Sequence, residues 1–154
     1  MNNYLYHPPE GGGVVHELPE TEGLVRGGKP PVLIIEDDLY TRMMLCAALG
    51  AWKYSVEKTR VGDSMPALRR ACTFSLIIVD LQPQDARGYG VLHFLSTLTS
   101  RPPVIVISTA PSEKLALDSD VVKVIIRKPF DIQWLRECVD SLAGGGDLSW
   151  PERS

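Results

Sequence analysis

The chain has 154 residues, 44% hydrophobic and 23% charged, and its 16 basic and 19 acidic side chains give a formal charge of -3. This composition fits one globular domain with a core of its own and leaves room for tails. The slightly negative charge does not favour direct binding to nucleic acid. No apolar run approaches the roughly 20 residues that span a bilayer.

The termini differ in composition from the middle of the chain. Residues 1–30 contain paired prolines and glycine runs without apolar periodicity, which predicts a flexible extension. The three glycines at 144–146 predict a helix stop followed by a short tail over 144–154. We therefore expect the folded domain to occupy residues 31–143.

Within this domain, apolar runs alternate with segments of helical spacing. Strands are predicted over residues 32–36, 54–58, 75–80, 104–108 and 121–127. Helices are predicted over residues 39–51, 62–71, 89–98, 112–117 and 131–143, with Asp38 and Asp131 as caps. This alternation predicts an α/β fold, in which a parallel sheet is covered by helices on both faces.

Polar groups follow four of the predicted strands. Because ligands of open α/β sheets bind at the carboxyl ends of the strands, we expect these groups to share one crevice. The groups are Glu36-Asp37-Asp38, Asp80, Ser108-Thr109 and Lys128-Pro129-Phe130.

In this order and spacing, these residues resemble the receiver domain of two-component response regulators, the CheY-like family. The resemblance covers residues 31–143. It implies a flavodoxin-like, doubly wound, five-stranded parallel sheet, (βα)5, with strand order 2-1-3-4-5. It implies a signalling domain and not an enzyme, one that at most catalyses its own phosphorylation and dephosphorylation.

The resemblance also implies a phosphoacceptor with a divalent cation beside it. The carboxylate of Asp80 would accept the phosphoryl group and form an aspartyl-phosphate. Glu36 and Asp37 would bind Mg²⁺ (or Mn²⁺) together with Asp80, one of them through water, and the backbone carbonyl of Gln82 would complete the ligand set.

Two further side chains would contact the phosphoryl group. Lys128 would neutralise one of its oxygens as a compact charge, and Ser108 would donate a hydrogen bond after transfer. Spacing favours Ser108 over Thr109 for this role. The switch pair of the family would then be Ser108 and Ile125, and Ile125 replaces the usual aromatic ring.

Structural roles compete with these assignments. Asp80 could cap the loop that follows it, Asp38 is expected to cap a helix and not to bind metal, and Lys128 could be a solvated side chain. Arg42 faces the acids but is expected at the surface. The resemblance favours a cis peptide before Pro129, whereas X–Pro bonds are usually trans.

The chain also departs from the family pattern in two segments. The proline after Asp80 comes one residue early, at Pro83, so the loop beside the acceptor is expected to be reshaped. The interval between Ser108 and Lys128 is short, so the helix over 112–117 is expected to be short or irregular.

The sequence thus predicts a phosphorylation-competent receiver. Its expected partners are a histidine kinase or phosphotransfer protein and an unknown downstream protein, with no direct nucleic acid binding, no membrane contact and a homodimer as a possible assembly. The three separated cysteines predict free thiols in the cytoplasm. Whether the chain acts as a stand-alone relay or is a fragment of a longer regulator stays open. The alternative function is an atypical receiver kept as a protein-interaction module.

Overall fold

A computed structural model describes residues 29–146 and two short strands before them, β1 (Tyr4–Tyr6) and β2 (Val15–Glu17). These two strands pair antiparallel. Apart from them, the extension predicted over residues 1–30 lies outside the described residues up to residue 28, and its last two residues belong to the strand that begins at Lys29. Of the tail predicted over 144–154, residues 147–154 lie outside the described residues.

The domain is built on a five-stranded parallel sheet, as predicted. Its strands are β3 (Lys29–Ile35), β4 (Tyr54–Thr59), β5 (Leu76–Asp80), β6 (Val104–Ser108) and β7 (Val122–Arg127). They are ordered β4-β3-β5-β6-β7, and every neighbouring pair runs parallel. Counted within this sheet, the order is 2-1-3-4-5, so the predicted flavodoxin-like topology is confirmed.

The α-helices of the described segment are α1 (Leu39–Ala51), α2 (Met65–Leu68), α3 (Ala86–Ser96) and α4 (Ile132–Ala143). Three of them begin at an aspartate whose carboxylate accepts a backbone N–H of the first turn. Asp38 caps α1 and Asp131 caps α4, as predicted, and Asp85 caps α3. The cap at Asp85 explains why α3 begins three residues before the predicted start at Tyr89.

The core lies on the two faces of the sheet because successive strand residues point to opposite sides. One face carries Leu33, Ile35, Ile77, Val79 and Val106 under α2 and α3; the other carries Val32, Ile34, Ile78, Ile105 and Ile107 under α1 and α4. Strands β5 and β6 are buried along their whole length. Because β5 and β6 are packed on both faces, they position the polar residues at their carboxyl ends.

Two helix predictions were wrong in extent. The helix predicted over residues 62–71 is a 3-10 turn at Val61–Asp63, the single helical turn α2 and another 3-10 turn at Ala71–Thr73. The hydroxyl of Ser64 donates to the carbonyl of Val61, so α2 begins without a side-chain cap.

The segment over 112–117 contains only the 3-10 turn Ser112–Lys114. Leu115 is extended and buried, and Leu117 packs against the same core cluster, so the chain buries alternate residues here. The helix predicted over 112–117 is therefore wrong in extent, whereas the expectation that it would be short or irregular is confirmed.

All three cysteines are free thiols, as predicted. Among the described residues, no helix combines the length and the apolar character needed to cross a membrane.

Candidate functional site

Asp80 is the last residue of β5 and is buried, with 9% of its surface exposed. The chain then turns inward, because the next residue, Leu81, is fully buried and its N–H donates to the carbonyl of Ile107. Gly88 permits this path: a Cβ at Gly88 would come within 2.7 Å of the Leu81 side chain. The buried strand and its anchored loop therefore hold the Asp80 carboxylate at the carboxyl edge of the sheet.

Lys128 brings a positive charge to this carboxylate. Its Nζ lies 2.9 Å from Asp80 Oδ2 and 3.8 Å from Glu36 Oε2, and only 21% of its side chain is exposed. Its N–H donates to the carbonyl of Ser108 at the end of β6, and the Lys128–Pro129 peptide is cis, as the resemblance implied. The lysine is thus an ion-paired residue of the site and not a solvated one.

Glu36 follows β3 and is almost completely buried. Its Oε1 accepts the N–H of Asp38 at 2.8 Å, whereas its Oε2 is the one buried side-chain oxygen or nitrogen of the described residues without a hydrogen-bond partner. Burial, and then the neighbouring Asp80 carboxyl, raise the pKa of Glu36 to about 8. Two carboxyl groups therefore share one lysine in a poorly solvated site.

These carboxyl groups fit the oxygen donor set that Mg²⁺ prefers. Glu36 Oε2 accepts no hydrogen bond from the described residues and lies 3.8 Å from Lys128 Nζ, and a cation beside it would stabilise the ionised forms of both Glu36 and Asp80. In the described part of the chain, no group of three or more His, Cys, Asp or Glu side chains is arranged as a metal site. The fit therefore rests on Glu36 and Asp80.

Asp37, the third predicted ligand, points to other partners. Its Oδ1 accepts the N–H of Val61 at 2.8 Å, and its Oδ2 accepts Nη2 of Arg87 at 3.2 Å. About a third of its side chain, 35%, is exposed. The structure therefore brings Glu36, Asp80 and Lys128 together, while the carboxylate of Asp37 is held by a loop amide and an arginine.

The predicted phosphate and switch residues lie on the adjacent strands. Ser108 is fully buried and its Oγ accepts the N–H of Ala110, whereas Thr109 is exposed. This burial favours Ser108 for the hydroxyl role. Ile125 lies inside β7, pairs with Val106 and is half-buried against the core cluster on the α3 side of the sheet.

Three side chains contact the acids in ways that the sequence did not predict. Gln82 donates from Nε2 to both oxygens of Asp80, at 3.2 and 3.3 Å, while its carbonyl accepts the N–H of Asp85. Arg42, expected at the surface, is half-buried and donates to the carbonyls of Glu36 and Asp37. The orientation of Arg42 toward the acids was a usable signal, since it lies four residues after Asp38 in α1.

Arg87 is the third side chain that contacts the acids, and no pattern in the sequence around it predicts this contact. It binds Asp85 two residues before it, but its other partner, Asp37, lies fifty positions away. Only the packing of α3 against the turn at Val61–Asp63 brings Arg87 and Asp37 together.

The fold and these residues define a receiver domain. The pattern of the family described as "Response regulator receiver domain" matches residues 32–140, more than half of the chain. The chain therefore belongs to the response regulator receiver family of two-component signalling.

A curated relative is similar to this chain over most of the domain. The transcriptional regulatory protein ZraR of Salmonella typhimurium is 24% identical over 115 residues, which are 73% of this chain and 26% of ZraR. The chain thus spans about a quarter of the length of the curated relatives it matches.

Solved structures show the same fold. The signal receiver domain of a putative LuxO repressor protein from Vibrio parahaemolyticus has 22% identity and a TM-score of 0.66, and the match covers 76% of this chain and 92% of that one. The chemotaxis response regulator CheY4 of Vibrio cholerae has 20% identity and a TM-score of 0.63, and the match covers 73% and 97% of the two chains.

Proposed function

We propose that this chain is a phosphoacceptor of a two-component pathway. In this proposal, residues 31–143 receive a phosphoryl group on Asp80 from a histidine kinase or phosphotransfer protein, in a reaction that requires Mg²⁺ or Mn²⁺. The phosphorylated domain then signals through contacts with a downstream protein. Apart from its own phosphorylation and dephosphorylation, no catalysis is proposed.

The observation that carries this proposal is the buried contact between Asp80 and Lys128, with Glu36 beside them. A carboxylate at the end of a buried strand, 2.9 Å from an ammonium group, is held in one orientation. When the second carboxyl group, that of Glu36, ionises, it adds a negative charge that Lys128 alone does not balance, which favours a divalent cation. A nucleophile, a positive charge beside it and a place for a divalent cation are the elements of phosphoryl transfer to an aspartate.

The chain's own residues would act mainly by position and charge. An oxygen of Asp80 would form a bond to phosphorus while the bond to the donor nitrogen breaks, and that nitrogen leaves with the electron pair. The bound cation would neutralise phosphoryl charge. Lys128 would move from Asp80 toward a phosphoryl oxygen, and the hydroxyl of Ser108 would donate to another oxygen.

A second candidate is an atypical receiver that binds proteins with little or no phosphorylation. Two observations favour it: both oxygens of Asp37 are already hydrogen-bonded, and Ile125 stands where the family usually has an aromatic ring. The buried acids and Lys128 favour the first candidate.

Phosphorylation separates the two candidates. The full chain is incubated with acetyl phosphate and Mg²⁺ and followed on a phosphate-retarding gel. We expect a retarded band that is lost in Asp80→Asn and when Mg²⁺ is chelated. Asp131→Asn is the matched control because asparagine also caps a helix, and it should be retarded like the wild type. No retardation of the wild type under any of these conditions would leave the interaction module as the better account.

A further inference from the structure

Arg87 contacts the candidate cation site from the start of α3. Its Nη2 lies 3.2 Å from Asp37 Oδ2, and the same guanidinium contacts both oxygens of Asp85, from Nε at 3.1 Å and from Nη2 at 2.9 Å. A planar guanidinium that meets one carboxylate with two nitrogens is held in a defined orientation. The contacts with Asp85 therefore orient the guanidinium of Arg87 toward the carboxylate of Asp37.

The anchor of this arginine is part of the helix start. Asp85 Oδ1 also accepts the N–H of Arg87 as the cap of α3. These hydrogen bonds from Arg87 hold the pKa of Asp85 below its usual range. On its other side the guanidinium lies against Gly62, where a Cβ would be 3.6 Å from Nη1. Arg87 thus fills the space between the start of α3 and the turn at Val61–Asp63.

Both carboxylate oxygens of Asp37 accept a hydrogen bond. The backbone N–H of Val61 holds Oδ1, and the side chain of Arg87 holds Oδ2. Each carboxylate oxygen offers two acceptor positions, so a cation bound at Oδ2 would compete with Arg87 Nη2 for the same oxygen, and Arg87 is the donor that can move away because it is a side chain. A guanidinium that stayed in place would also repel the cation.

We propose that Arg87 is a latch that competes with the divalent cation for Asp37 and so lowers the affinity of the resting protein for the metal. This inference rests on the proposed function, because it takes Asp37 as a ligand in the occupied site. Arg87 acts on the cation through Asp37 and is a positioning residue. The contact is exposed to solvent, with 60% of the Arg87 side chain and 35% of the Asp37 side chain accessible, so its effect is modest.

The test is calorimetric titration of the unphosphorylated full chain with Mg²⁺. We expect Arg87→Gln to bind Mg²⁺ about two- to fivefold more tightly than the wild type, the range that an exposed ion pair supports. Arg136→Gln is the control for loss of one positive charge, since Arg136 pairs with Asp140 on α4. This control should change the affinity much less.

A double-mutant cycle shows whether the effect passes through Asp37. In an Asp37→Asn background, Arg87→Gln should change the affinity no more than Arg136→Gln does. Equal affinities of Arg87→Gln and Arg136→Gln, or weaker binding by Arg87→Gln, would overturn the latch. If the wild type takes up both Mg²⁺ and phosphate while Arg87→Gln behaves like the control, only the latch fails. If the wild type takes up neither, the proposed function fails with it.

Discussion

Replacement of Glu36 by glutamine should remove most of the pH dependence of stability between pH 5 and pH 8 in the metal-free protein. The pKa of Glu36 rises from 4.5 to about 8 in the folded chain. Between these values the folded protein binds more protons than the unfolded one, so the free energy of unfolding falls as the pH rises. With about 1.4 kcal/mol for each pKa unit, the loss up to pH 8 is on the order of 4 kcal/mol.

The assay is urea unfolding in EDTA at about pH 5.5 and about pH 8, followed by far-ultraviolet circular dichroism. We expect the wild type to lose stability across this interval, whereas Glu36→Gln should stay nearly level and exceed the wild type at the higher pH. The lowered pKa values of Asp38 and Asp85 affect stability only at more acidic pH. Glu57→Gln, an exposed acid paired with Arg70, should keep the wild-type slope. A wild type of constant stability, or a variant with the same slope, would refute the reasoning.

Three further predictions concern the site and the fold. Lys128→Met should slow phosphorylation by acetyl phosphate at least about tenfold because it removes the charge beside the acceptor; a wild-type rate in a gel time course would contradict this role. Leu135→Ala, at a fully buried position of α4, should lower the free energy of urea unfolding by about 2–5 kcal/mol, and the exposed Met43→Ala should not. Asp38→Ala should lower the free energy of urea unfolding because it removes the cap of α1, and Asp38→Ser should restore most of the loss; a variant Asp38→Ala as stable as the wild type would contradict this role of the cap.

The sheet could be predicted because its strands follow simple rules. Strands buried on both faces are continuous apolar runs, and β5 and β6 have this form. Their order came from the family resemblance carried by the residues at their ends. The cap of α1 at Asp38 could also be predicted from the sequence, since it depends on a local hydrogen bond from the N–H of Thr41.

The two helix predictions that were wrong in extent, over residues 62–71 and 112–117, concern segments whose structure depends on packing against distant parts of the chain. Leu115 and Leu117 are two residues apart, and both contact the core, which an extended chain permits and a helix does not. In the segment after Val61, the hydroxyl of Ser64 bonds backward to a carbonyl and leaves the next turn without a cap. Neither outcome is encoded in helix propensity or in spacing along the chain.

The same distinction applies to the site. Glu36, Asp80 and Lys128 could be predicted because each follows a strand whose position the sheet determines. The orientation of Asp37 could not, since it depends on Arg87 and on the amide of Val61, in two loops that meet only in the folded chain. The proximity of Glu36, Asp80 and Lys128 could thus be predicted from the sequence, whereas the hydrogen-bond partners of Asp37 required the structure. The roles of Glu36, Asp37 and Asp80 as ligands stay predictions.

The most direct test of the central claim is the intact mass of the chain after incubation with acetyl phosphate. With Mg²⁺ present, we predict the added mass of one phosphoryl group, carried by the peptide that contains Asp80 and absent from Asp80→Asn. The modification should disappear when EDTA replaces Mg²⁺. An unchanged mass with Mg²⁺ and donor in excess, or a phosphoryl group on another residue, would contradict the account.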